Sequence, residues 1–158
     1  MATAAPSLVH GTAIALAGKA ALIRGAPGSG KSDLALRCLS QPASDLIAGQ
    51  ALLLADDQVI VETHRGKVLM RCPEPIKGLL EVRGVGIVAV PTQDTAELEL
   101  LVDLVPVDKV ERLPDPDERA ELLGVSVRRL ALYPFEASAA LKLLLALQGG
   151  TGARQYQQ

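Results

Sequence analysis

Residues 25–32 read Gly-Ala-Pro-Gly-Ser-Gly-Lys-Ser and satisfy every fixed position of the phosphate-loop pattern G-x-x-x-x-G-K-[ST]. The chemistry such a stretch serves is the holding of a nucleotide's phosphate chain. Gly25, Gly28 and Gly30 let the backbone turn its N–H groups inward around phosphate oxygens. Ala26, Pro27 and Ser29 complete the turn, and the positive end of the following helix adds to the attraction. The Lys31 ammonium is placed to reach the outer phosphates, and the Ser32 hydroxyl to ligate a magnesium ion. Asp56-Asp57 follow at once on the apolar run 51–55. In open α/β sheets ligands sit beyond the carboxyl ends of strands, so at least one of these carboxylates is expected to reach the metal or the attacking group. Side-chain alternation argues against both pointing the same way. A lone histidine such as His10 is either structural or catalytic. Glu81 and Arg83 are embedded in apolar and glycine residues, which marks either an exposed edge or a place where the chain passes close to a ligand.

These groups need a frame. Residues 20–24 read as a short buried strand leading into the loop, and residues 32–39 as a helix with Leu34, Ala35, Cys38 and Leu39 on one face. Residues 8–17 alternate loosely, and Gly18-Lys19 turns them back into strand 20–24, so His10 is expected on a strand beside the phosphate-loop strand. Gln41-Pro42 ends the helix. Residues 59–61 and 67–70 predict a hairpin with Arg65-Gly66 at its tip and His64 solvated, followed by an extended break over 72–75. Residues 97–106 alternate as a strand, 109–117 as a charged, proline-broken surface loop containing Arg112. A short helix over 117–123 stopped by Gly124, a last strand over 125–132 and an apolar helix over 136–148 complete the pattern. The expectation is an α/β, P-loop-containing domain, residues 1–150, with a central mixed β-sheet, few flanking helices and a flexible tail over 151–158.

At 158 residues the chain suits one domain. Apolar residues make up 49%, yet there are only two Tyr, one Phe and no Trp, so Leu, Val, Ile and Ala must build the core. A net charge of −2 gives no broad attraction for nucleic acid or anionic lipid, and neither is expected as a partner. Cys38 and Cys72 form no C-x-x-C pair and no cysteine-histidine cluster, so reduced thiols are expected. Residues 1–7 lack the pattern of a signal peptide and no apolar run approaches a bilayer span, which predicts a cytoplasmic protein.

Taken in order, His10-Gly11, the loop 25–32, Ala55-Asp56-Asp57-Gln58-Val59 and, most discriminating, Leu79-Leu80-Glu81-Val82-Arg83-Gly84-Val85-Gly86-Ile87 resemble the catalytic domain of HPr kinase/phosphorylase. The resemblance runs from about residue 10 to 112 and is to a short form consisting of the kinase domain alone. It implies ATP and Mg2+ as cofactors, phosphorylation of a serine on HPr or an HPr-like phosphocarrier of a phosphotransferase system, and a homohexamer. Carried over by position, Asp56 matches the base for the serine hydroxyl and His10 the histidine that supports it. Lys31 matches the phosphate-loop lysine, Ser32 and Glu81 the magnesium ligands, and Arg112 a catalytic arginine.

One departure stands out. Members that perform phosphorolysis carry a Pro-x-Arg-x-Gly-Arg-like segment ahead of the last helix, whereas this chain has Leu132-Tyr133-Pro134-Phe135-Glu136-Ala137-Ser138. The resemblance therefore implies kinase activity more strongly than phosphorylase activity. Two other readings stay open: a small-molecule P-loop kinase in which Asp56 is only a metal ligand, and an ATP-sensing module without chemistry.

Overall fold

A computed structural model describes residues 5–149, and the expected tail over 151–158 lies outside them. Strands β1 (Ser7–His10), β2 (Thr12–Leu16) and β3 (Lys19–Arg24) lead into the phosphate loop and helix α1 (Lys31–Ser40). Strands β4 (Leu52–Ala55), β5 (Gln58–His64), β6 (Lys67–Arg71), β7 (Leu79–Val82), β8 (Gly86–Ala89), β9 (Thr95–Leu104), β10 (Arg119–Leu122) and β11 (Val125–Leu132) follow, and helix α2 (Ala139–Gly149) closes the described chain. The main sheet runs β1-β5-β6-β9-β3-β2-β4, with β11 on β9 and β10 on β11, while β7 and β8 form a separate hairpin. The α/β class, the mixed sheet and the small number of helices are as the sequence predicts.

The strand directions explain where a site can form. β3, β9 and β11 are parallel neighbours, and β2 is antiparallel to both β3 and β4. The carboxyl ends of β3, β4, β9 and β11 and the start of β2 therefore share one edge of the sheet. From that edge emerge the phosphate loop, Asp56-Asp57, residues 105–118 and residues 133–138.

Alternate residues of β2 and β3 supply two cores. Ile14, Leu16, Ala21 and Ile23 pack beneath α1 and α2, whose Leu34, Ala35, Cys38, Leu143, Leu144 and Leu147 are buried there. Ala13, Ala15, Ala20 and Leu22 face Leu54, Val59, Val61, Val68 and Met70 on the other side. Apolar residues on both faces are why β3 and β4 read as short continuous apolar runs rather than as alternating ones.

Three expectations need correction. The stretch 8–17 is two strands, broken at Gly11, where a Cβ would stand 2.9 Å from both the Ile23 carbonyl oxygen and a Leu22 methyl. The chain passes there from β1, an end strand paired with β5, to β2, which lies between β3 and β4, so His10 is not on the strand beside the phosphate-loop strand. Residues 117–123 are not a helix. Arg119–Leu122 is a strand hairpinned to β11 through Leu123-Gly124, both at positive φ (51° and 75°). That two-residue turn matches the twist of paired strands, and the alternation of exposed Arg119 and Glu121 with half-buried Ala120 and Leu122 carried the strand signal. Finally, the break over 72–75 runs into one turn of 3-10 helix at Glu74–Ile76.

Candidate active site

The phosphate loop links β3 to α1. Gly28 and Gly30 sit at φ 78° and 99°, conformations that L side chains rarely adopt. Gly30 is the N-cap of α1 and has no side chain to cap it, so the N–H groups of the first turn remain available to an anion. Lys31 is 7% exposed, and its Nζ donates to the carbonyls of Gly25 (2.8 Å) and Ala26 (3.0 Å), which holds the ammonium against the start of the loop. Ser29 Oγ is the buried side-chain oxygen that lacks a hydrogen-bond partner among the described residues. An orphaned hydroxyl inside a glycine-rich turn fits a loop built to close on an oxygen-rich ligand.

A three-way brace fixes the loop from below. Arg24, the residue before Gly25, donates from Nε (2.7 Å) and Nη2 (2.9 Å) to Asp103, and Arg129 Nε donates to the same carboxylate at 2.6 Å. Arg129 also reaches Glu118 at 2.9 Å. Burial alone would push the Asp103 carboxyl up, but the hydrogen bonds and charges of Arg24 and Arg129 outweigh it and hold the group below its usual value.

The two neighbouring carboxylates part company. The Asp56 carbonyl accepts from the Gln58 N–H at 2.8 Å, and Asp57 between them sits at φ 68°. Such a tight turn is strained for a residue other than glycine, and strain of this kind gathers at functional sites. Asp56, 7% exposed, turns inward. Its Oδ1 accepts from Ser32 Oγ (2.6 Å) and from the fully buried Thr12 Oγ1 (3.0 Å), and its Oδ2 from the Glu81 N–H (3.1 Å). Asp57 turns outward: His10 Nδ1 stands 3.3 Å from its Oδ1, and Gly11 N–H donates to its carbonyl at 3.0 Å. The expected His10–Asp56 partnership is thus replaced by a His10–Asp57 pair, with the crossing at Gly11 as its cause.

These groups surround one cleft of about 510 Å³ between the loop and the β7–β8 hairpin. His10, Thr12, Gly28, Gly30, Lys31, Ser32, Asp57, Glu81, Arg83 and Phe135 all line it. Asp56 does not; it lies behind Ser32. Arg112 is exposed in the loop after β9 and does not line the cleft, although that loop leaves from the same sheet edge. Magnesium bound with phosphates and waters needs only one or two protein oxygens, and Ser32 and Glu81 are suited to that role. No cage of three or more His, Cys, Asp or Glu side chains occurs among the described residues. Sequence reasoning gave no role to Thr12 or the Arg24–Asp103–Arg129 brace, and treated Asp57 only as one of two carboxylates of which at least one was expected to act. The polar Thr12 opening an apolar strand was the available signal for the first, while the brace joins residues too far apart in sequence to leave one.

A strand–loop–helix unit carrying the phosphate loop, with the Asp56 carboxylate at the end of β4 two strands away in a mixed sheet, defines a P-loop domain of the α/β class. More narrowly, residues 2–146 match the family model described as HPr Serine kinase C-terminal domain, and the chain belongs to that family. It is 34% identical to the HPr kinase/phosphorylase of Bordetella pertussis over 78% of this chain and 41% of that protein. It is 30% identical to the HPr kinase/phosphorylase of Alkaliphilus metalliredigens over 99% of this chain and 50% of that one. The chain thus spans about two-fifths to one half of the length of these curated relatives. The fold is similar to that of the Hpr(Ser) kinase/phosphatase from Coxiella burnetii, with a TM-score of 0.75 at 20% identity, covering 90% of this chain and 95% of that one. No helix among the described residues is long and apolar enough to cross a membrane.

Proposed function

We propose that this chain is an ATP-dependent protein-serine kinase domain whose acceptor is HPr or an HPr-like phosphocarrier in the cytoplasm. The observation that carries the reading is the convergence, in one cleft, of the phosphate loop, the His10–Asp57 pair and Glu81. Membership of the family and the names of the relatives support the acceptor class.

Phosphoryl transfer passes through a loose transition state, so catalysis is mostly alignment of donor and acceptor and neutralisation of phosphate charge. The loop N–H groups and Lys31 bind the phosphates, Lys31 exchanging its carbonyl partners for phosphate oxygens. Ser32 and Glu81 would hold Mg2+, which when bound neutralises charge on the outer phosphates. Asp56 keeps the Ser32 hydroxyl and the Glu81 backbone in place; with three donors already on it, it is a positioning group. Asp57 is the carboxylate free to accept the proton of the acceptor serine, and His10 orients it. This moves the base role, expected at Asp56, one residue along. Arg112 would complete the charge at the cleft only if its loop folds over bound substrate or a second copy approaches. A homo-oligomer, hexameric by resemblance, is supported by the exposed apolar side chains Val85, Ile87 and Leu113. Phosphorolysis is not part of the reading, since residues 132–138 lack the arginines and glycine of the phosphorolytic segment.

The test is phosphoserine detection by mass spectrometry on an HPr-like protein after incubation with this chain, ATP and Mg2+, beside Lys31→Ala. Modification that depends on Lys31 is expected; a chain that binds ATP yet modifies no HPr-like protein would contradict the acceptor assignment.

A further inference from the structure

The segment that departs from the phosphorolytic pattern carries the chain's single phenylalanine, and that ring is 64% exposed at the cleft. It is firmly placed. Tyr133 meets it edge-on, with ring centroids 5.8 Å apart and planes at 79°. Arg37 of α1 donates to the carbonyls on either side of it, those of Pro134 and Glu136, and is itself paired with Asp33 at 3.0 Å. Glu136 is paired in turn with Lys142. The segment is thereby tied to α1, with the ring directly over the loop: a Cβ on Gly30 would lie 3.1 Å from a Phe135 ring carbon.

Ser32, Glu81, Arg83, His10 and Asp57 line the cleft with the groups suited to the metal and the acceptor. Phe135 lines it as well, beside Gly30 and on the side of α1 where Arg37 pairs with Asp33 and clamps the segment. A phosphate chain that ends beside Lys31 and Ser32 must run back toward its sugar and base. The segment after β11 is one of the few that leave the sheet at that edge to meet them.

We propose that Phe135 is the stacking platform for the purine base of the bound nucleotide, a base-recognition residue of the donor site. The inference rests on the phosphate-loop reading. An aromatic face held rigid and open to water offers a base contact area with little ordering cost, and the fixed Tyr133 and Arg37 contacts keep the ring from folding away. An exposed apolar ring at the cleft makes a surface for a nucleobase rather than for inorganic phosphate.

The experiment is titration calorimetry on the full chain with Mg2+, using ATP and inorganic tripolyphosphate as probes, for the wild type, Phe135→Ala and Phe135→Trp. Phe135→Ala is expected to weaken ATP binding about five- to a hundredfold while leaving tripolyphosphate within about twofold, the range that base–aromatic stacking contributes. Phe135→Trp should retain ATP affinity. Because the chain has no other Trp, its indole fluorescence should change with ATP and not with tripolyphosphate. Equal weakening of both probes would make Phe135 a support of the loop and overturn the proposal, as would an unchanged ATP affinity or an effect confined to the KM for the acceptor protein. A wild type that binds neither probe would instead remove the phosphate-loop reading itself, and the platform with it.

Discussion

Replacing Asp103 with Asn tests whether the arginine brace beneath the phosphate loop holds the fold as the geometry indicates. The carboxylate, 22% exposed, accepts three hydrogen bonds from guanidinium groups that are themselves 32% and 25% exposed. A hydrogen bond to a charged group contributes about 1.5–3 kcal/mol net. The three bonds share one acceptor and are not additive, the amide keeps some of them, and both guanidiniums regain partial hydration. The expected loss is therefore about 2–3 kcal/mol. For a chain of this size that is a fall in Tm of about 4–12 °C. Far-UV circular dichroism is the assay, since the chain has no Trp to report unfolding by fluorescence. The loss should also depend on pH. The carboxyl lies below its usual 3.8 in the folded state, so its contribution is complete above that value and disappears as pH falls through the lower, folded value. Wild type and Asp103→Asn should accordingly converge in stability in strong acid. A shift under about 1 °C at neutral pH, or a difference that grows on acidification, would refute the reasoning.

Other perturbations bear on the loop and the cores. Gly30→Ala forces a side chain into φ 99° and to 3.1 Å from Phe135, so it should cost about 1–2 kcal/mol and abolish ATP binding by calorimetry; binding retained at wild-type affinity would show that the loop adjusts freely. Thr12→Val removes a fully buried donor to Asp56 and should destabilise by about 1–2 kcal/mol in urea titration while weakening Mg-ATP binding. Burial pushes the Cys38 thiol up to about 12, and Cys72 is likewise buried with its thiol raised. Neither should react with a disulfide reagent at pH 8 until the protein is denatured, and a fast-reacting equivalent in the native protein would contradict the packing.

The fold was legible where local chemistry and tertiary demand agree. The phosphate loop, α1, the hairpin at Arg65-Gly66 and strands β9 and β11 each announce themselves by turn residues or periodicity. What stayed hidden depends on distant partners. The pairing of β1 with β5, which removes His10 from the phosphate-loop strand, is decided by the crossing at Gly11 and by Val59 and Val61 across the sheet. Two adjacent aspartates are equivalent in sequence. Only the turn at Asp57 and the three donors gathered around Asp56 tell them apart. The helix read over 117–123 failed because the alternation that marks the strand spans only four residues, Arg119–Leu122, and Leu123-Gly124 resembles a helix stop as well as a hairpin turn.

The division of labour between those aspartates is the account's central claim, and comparing Asp57→Asn with Asp56→Asn tests it most directly. Each variant would be titrated with Mg-ATP and then assayed for phosphoserine formation on an HPr-like acceptor under single-turnover conditions. Asp57→Asn should bind Mg-ATP within about threefold of wild type and lose about a hundred- to ten-thousandfold in transfer rate, the usual contribution of a positioned base. Asp56→Asn should lose Mg-ATP binding, because Ser32 and Glu81 are no longer held. Full transfer by Asp57→Asn, or an Asp56→Asn protein that binds Mg-ATP normally and fails only in transfer, would return the base role to Asp56 and contradict the account.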